Sequence, residues 1–148
     1  MSDPAAQLAV VDALYGFAEA LDAKDAEAFA AVFAVDGTLD FSPGGRTLGL
    51  DFPPIEGREQ IVAGIFGALA EITTTHTIGN PRVAFDGARA RVTALVEAQH
   101  IVTADRSRHL LLKNRYTVDL DADGPGWRIR RLEIATVWWT GEPTLLGG

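Results

Sequence analysis

Two extended segments meeting at an Asp-Gly turn constrain this chain more than any other feature. They span Thr73–His100, TTTHTIGNPRVAFDGARARVTALVEAQH, and join at Phe85-Asp86-Gly87-Ala88. Asp-Gly between β-like runs is a strong short-range hairpin signal. The second segment alternates. Ala90, Val92, Ala94, Val96, Ala98 and His100 share one side, while Arg89, Arg91, Thr93, Glu97 and Gln99 take most of the other. A histidine therefore ends a small, apolar face. The first segment places His76 on one side with Thr74 and Ile78 before Asn80-Pro81 interrupts the ladder. Two histidines on neighbouring strands, with small residues between them, point to a pocket.

The remaining chain must supply walls for that pocket. Pro4, preceded by Ser2 or Asp3, is a good first-turn residue for a helix. Leu8, Val11, Tyr15, Ala18 and Asp22 then recur at helical spacing, with Leu14, Phe17 and Leu21 widening the stripe. Asp22 thus falls on the inward face near the helix end. A second helix is expected over about Ala26 to Ala34, ended by Asp36-Gly37 and followed by a short strand at Thr38–Phe41. Residues 42–56, SPGGRTLGLDFPPIE, carry three prolines and three glycines and read as a loop. Gly57–Ile72 reads as a third helix.

Two long strands follow the hairpin. In the first, Leu110, Leu112, Asn114, Tyr116, Val118 and Leu120 share a face, so Asn114 is a lone amide in an apolar row. The second, Trp127–Trp139, changes apolar phase around Arg131-Leu132, which indicates a bulge. Trp127, Trp138 and Trp139 are expected in the core or a subunit interface. The tail from Gly141 reads as irregular. Helices first, then a long curled antiparallel sheet, make an α+β domain. At 148 residues, with no linker or repeat, one domain over 1–148 is expected.

Composition narrows the chemistry. The absence of cysteine excludes disulfides and thiol catalysis. A net charge of −7 argues against non-specific nucleic-acid binding, which depends on Lys and Arg neutralising phosphates. The many arginines between Arg82 and Arg131 alternate with apolar residues, as solvated or subunit-facing sheet positions do. The start, MSDPAAQ, lacks the features of a signal peptide, and no stretch has the length of a membrane span. A cytoplasmic location without membrane contact is expected.

Asp22, His76, His100 and Asn114 each fall on the inward side of an element. An inward aspartate needs a partner, and histidine is the available cation. An Asp–His pair fixes the imidazole tautomer and makes it a competent general base. The second histidine or Tyr15 would supply a proton. Each residue also has a reading without chemistry: Asp22 solvated at a fraying helix end, and His76 in the core on a backbone carbonyl. His100 would stand in solvent at the strand end, and Asn114 would tie loops together. No HxH, HxxxH or HExxH spacing supports a metal, and no dinucleotide fingerprint or P-loop is present. No cofactor is expected.

The order of elements resembles the NTF2-like fold, specifically its SnoaL-like group. The resemblance covers roughly Ala6 to Trp139 and rests on LYGFAEALDAKDAEAFAAVFAVDGTLDF, THTIGNPRVAFDGARARVTALVEAQH and GWRIRRLEIATVWWTG. It implies a cone in which N-terminal helices close one side of a curved sheet around a pocket. Asp22, His76 and His100 look like the catalytic aspartate and histidines of the scytalone dehydratases. Asp22 and His76 also look like the dyad of the hexachlorocyclohexane dehydrochlorinases, and Asn114 resembles a pocket asparagine of the dehydratases. The resemblance implies that His76 abstracts a proton, Asp22 orients it, and His100 with Asn114 holds the leaving group or a carbonyl oxygen. Where the dehydratases hold a water with two tyrosines, this chain has Leu21 and Phe41, so Tyr15 or Tyr116 would have to replace them. The implied function is a cofactor-independent lyase or isomerase of a small cyclic or aromatic-like molecule, in a homodimer or homotrimer formed through the outer sheet face. The alternatives are a ligand-binding protein or partner subunit without catalysis, and a polyketide-type cyclase.

Overall fold

A computed structural model describes residues 3–147. Helix α1 (Pro4–Asp22) starts where Asp3 accepts the Ala5 N–H at 3.0 Å, with Pro4 in the first turn; Ser2 lies outside the described residues. The buried stripe of α1 is Val10, Leu14, Phe17 and Leu21, flanked by Val11 and Ala18. Leu8 and Tyr15, expected in that stripe, are 64% and 42% exposed. Both stripes fit a 3.6-residue period, and the buried one is wholly apolar, Val10, Leu14, Phe17 and Leu21, whereas the other carries Tyr15 and Asp22.

Helix α2 (Ala26–Val32) is capped by Asp25 and gives way to β1 (Phe33–Asp40) five residues before the expected strand start. The stretch expected to be a loop instead holds α3 (Ser42–Leu48) and the two-residue strand β2 (Ile55–Glu56). Asp40 explains the helix: its carboxylate accepts both the backbone N–H and the hydroxyl of Ser42, at 2.9 and 2.6 Å. Pro43 fits the first turn, and Gly49, at φ 77°, supplies the left-handed stop. A Cβ on Gly44 would lie 2.5 Å from the Phe41 ring, so glycine lets α3 press onto Phe41. Helix α4 (Arg58–Ala68) ends four residues early, because β-branched Ile72-Thr73-Thr74-Thr75 already opens β3 (Ile72–Asp86).

The hairpin of β3 and β4 (Arg89–Val102) pairs His76 with Ala98 and Thr74 with His100. Its register shifts between Gly79 and Arg82, where Asn80 sits at φ 51° and Pro81 lacks an N–H. Strands β5 (Asp105–Asp123) and β6 (Gly126–Gly141) complete one six-stranded sheet ordered β2-β1-β6-β5-β4-β3. It is antiparallel except that β1 runs parallel to β6. Register skips leave Arg130 and Val137 without partners on β5, so the expected bulge falls at Arg130 and a second one follows. This is the α+β architecture expected from the element order, helices packed on one curved, mostly antiparallel sheet.

The alternating faces read from β4 and β5 are the buried ones. Val92, Val96, Val118 and Leu120 are at most 1% exposed and share a core with residues of α1 and α4, while Leu110, equally buried, packs in a second cluster with Leu48, Ala98 and Leu112. Trp127 packs on Phe85 at 5.8 Å, while Trp138 and Trp139 are 51% and 36% exposed. After β6 the chain is not irregular: Pro143–Leu146 form a 3-10 turn that lays Leu145 and Leu146 against the core.

Candidate active site

The concave sheet face, α1, α4 and the segment from Phe41 to Ile55 enclose a cavity of about 490 Å³. Leu146 and Gly147 reach its wall from the 3-10 turn. Apolar side chains dominate the lining; its polar groups are His76, His100, Asn114 and Tyr116. Among the described residues, no Lys, Arg, Asp or Glu lines it.

The Asp22 carboxylate at the end of α1 stands beside the outer edge of β3. It accepts three hydrogen bonds: the His76 ring Nδ1–H at 2.6 Å, the His76 backbone N–H at 2.8 Å, and the Thr74 hydroxyl at 2.9 Å. Burial raises the pKa of Asp22, but the bonds and charge from His76 and the Thr74 bond outweigh it, holding the group below its ordinary value. An ionised carboxylate only accepts, so His76 carries a proton on Nδ1 and has Nε2 left for the cavity. The His76 side chain is 4% exposed. The Phe17 ring meets it edge-on at 6.3 Å, limiting how the imidazole can turn.

His100 is 5% exposed, so it does not stand in solvent. Its Nδ1 lies 3.1 Å from the Leu110 carbonyl oxygen. A carbonyl can only accept, so Nδ1 is the protonated nitrogen. Burial, and next the neighbouring His76, push its pKa down to about 4. His100 is therefore neutral and offers the cavity a bare Nε2, an acceptor. In that state it would accept from a ligand, whereas gripping a leaving group or carbonyl oxygen, the role the resemblance implies, needs a donor. The backbone-carbonyl partner considered for His76 belongs to His100 instead. The two imidazoles lie 6.2 Å apart, centre to centre.

Donors come from β5. The Thr136 hydroxyl donates to Asn114 Oδ1 at 2.8 Å, fixing the amide with its nitrogen free for the cavity. Tyr116 is 2% exposed; burial, then the negative charge of Asp22, raise its pKa, so its hydroxyl stays protonated. Phe41 lines the mouth against Phe52, at 5.7 Å. Tyr15 does not join the site: it lies in a shallow surface groove with Leu8 and Pro81. Of three further contributors, the sequence reading placed Ala98 on the pocket face and Phe17 on the inward helix stripe, and only Thr136 escaped it. Ala98 forms the floor, paired with His76 on one side and Leu112 on the other. Phe17 and Thr136 position polar groups. The alternation on β4 marked Ala98 as inward, but nothing local distinguishes a floor from a core. Among the described residues, no three His, Asp or Glu side chains converge as a metal set.

Comparison with known proteins agrees with this architecture. A family model described as SnoaL-like domain matches residues 4–133. Terrestric acid biosynthesis cluster protein E of Penicillium crustosum is 28% identical, over 94% of this chain and 88% of its own length. Among solved structures, a candidate aromatic ring hydroxylase from Novosphingobium aromaticivorans superposes with a TM-score of 0.86, at 21% identity over 99% of both chains. A candidate scytalone dehydratase from the same species gives 0.81, at 22% identity over 93% of this chain and 88% of that one. A hexachlorocyclohexane dehydrochlorinase from Novosphingobium barchaimii gives 0.77, at 13% identity over 94% and 91%. With the family model spanning residues 4–133, the chain belongs to the SnoaL-like domain family.

Proposed function

We propose that the protein is a cofactor-independent lyase or isomerase of a small cyclic molecule, with His76 as general base. The observation carrying this reading is the 2.6 Å bond from His76 Nδ1 to Asp22, which fixes the tautomer and leaves Nε2 over an apolar cavity. His76 Nε2 takes a proton from a carbon next to a carbonyl. The C–H electron pair moves toward the carbonyl oxygen, where the Tyr116 hydroxyl and Asn114 amide donate to the developing negative charge. Asp22 stabilises the imidazolium. In an elimination the electron pair then expels a group from the neighbouring carbon, and His76 returns its proton to that group. In an isomerisation the proton returns to a different carbon. Relatives named for dehydration, dehydrochlorination and a biosynthesis cluster support small-molecule chemistry of this kind.

The test is incubation in deuterium oxide with hydroxylated and halogenated cyclic ketones, followed by proton NMR. Deuterium incorporation or alkene formation is expected. His76→Ala should lower the rate about 10²- to 10⁴-fold while circular dichroism stays native. Asp22→Asn should lower kcat by about two orders of magnitude with KM little changed, since it disturbs the base and not the ligand. Binding without exchange or turnover by the wild-type protein would favour a ligand-binding role instead.

A further inference from the structure

We infer that His100 is a specificity residue whose Nε2 accepts a hydrogen bond from a ligand hydroxyl, so that the cavity selects an uncharged compound carrying both a hydroxyl and a carbonyl oxygen. The inference rests on the same cavity as the proposed base chemistry but not on turnover. Its first support is geometric. The Leu110 carbonyl lies on β5, directly opposite His100 in the β4–β5 register, and takes the Nδ1 proton at 3.1 Å. The sheet thereby fixes the tautomer, and the ring cannot exchange roles without breaking a buried bond.

The second support is the pattern of polar groups. Across β3 from Ala98 stands His76, and two residues further along β4 stands His100, both with Nδ1 engaged. On β5, Asn114 and Tyr116 offer donors. A ligand over the Ala98 methyl thus meets acceptors on the β3–β4 side and donors on the β5 side. A hydroxyl satisfies His100, which otherwise keeps an unpaired acceptor in a mostly apolar wall. A carbonyl oxygen satisfies Tyr116 and Asn114. With no Lys or Arg on the lining among the described residues, a carboxylate or phosphate would lose its hydration without compensation.

Four probes of one ring size separate these terms at pH 6.5: 4-hydroxyacetophenone, acetophenone, 4-ethylphenol and 4-ethylbenzoate. Calorimetric titration should show 4-hydroxyacetophenone binding about tenfold tighter than either acetophenone or 4-ethylphenol, and 4-ethylbenzoate weakest of the four. His100→Phe should bring 4-hydroxyacetophenone down to the affinity of acetophenone while leaving acetophenone itself unchanged. Long-range proton–nitrogen NMR on the wild-type protein reads the same feature without a substitution. The His100 signals should report a neutral Nδ1–H ring from pH 8 to pH 5, with Nε2 shifting on addition of the phenols and not of acetophenone. Equal affinity of the two acetophenones, failure of all uncharged probes, tightest binding by the benzoate, or an Nε2-protonated ring would each overturn the inference. Loss of turnover in His76→Ala with this ranking intact would leave the inference standing. Correct ranking without any exchange would sink the base chemistry alone.

Discussion

His100 is held neutral in a wall where it is 5% exposed, so acid unfolds the protein partly through this one ring. Its pKa is about 4 in the folded chain against 6.5 when unfolded. Between those values the unfolded chain binds the extra proton, so stability is full above pH 6.5 and falls as pH drops toward 4. The difference amounts to about 3 kcal/mol at most. His100→Phe should therefore flatten the slope of stability against pH across that window, measured by urea unfolding at several pH values; an unchanged slope would mean the ring is solvated. Asp22, whose pKa is lowered, contributes in the same direction but deeper in acid, below the ordinary carboxylate range. His76 and Asn114 were legible because periodicity put each on an inward face; Asp22 was placed inward with a stripe whose Leu8 and Tyr15 are exposed, and it reaches His76 from the last turn of α1. The proton state of His100 was not legible, because it depends on the Leu110 carbonyl, a backbone atom that no residue type announces.

Among the elements, β4 and β5 were readable because a two-residue period with one buried side admits a single phase. Helix α1 was readable as a helix but not in phase, since Tyr15 and Leu14 lie about 100° apart and both fit an apolar stripe. Helix α3 was invisible: Pro43, Gly44 and Gly45 argue for a loop, and the helix depends on Asp40, Gly49 and packing against β6. The small side chain of Ala98 fits the cavity above it rather than a strand preference, since alanine is a poor strand residue. Ala98→Leu should accordingly weaken binding of 4-hydroxyacetophenone more than tenfold while leaving the melting temperature level or higher, because the added methyls enter existing space. Undiminished binding by that variant, followed by calorimetry, would place the ligand somewhere other than over Ala98.

At the scale of the whole molecule, the sheet separates two environments. Its concave face carries the core and cavity. Its convex face carries ion pairs along its length, Arg91–Asp119 at 2.7 Å and Glu97–Lys113 at 2.6 Å among them, with exposed Leu95, Val137 and Trp138 interspersed and Lys113 lying 5.7 Å from the centre of the Trp138 ring. If copies associate through this mixed face, Trp138→Lys should shift sedimentation velocity toward the monomer; identical profiles would locate any interface elsewhere. No described helix is long and apolar enough to cross a membrane. The sheet is also unclosed. One margin is the two-residue β2, and the other is the 15-residue β3, which an unrelated strand could extend. That long margin is blocked at two points: Pro81 has no N–H to offer, and the His76 N–H is already taken by Asp22. The carboxylate that holds the His76 ring thus also caps part of an open hydrogen-bonding edge, so replacing it would free backbone that a strand of another molecule could pair with.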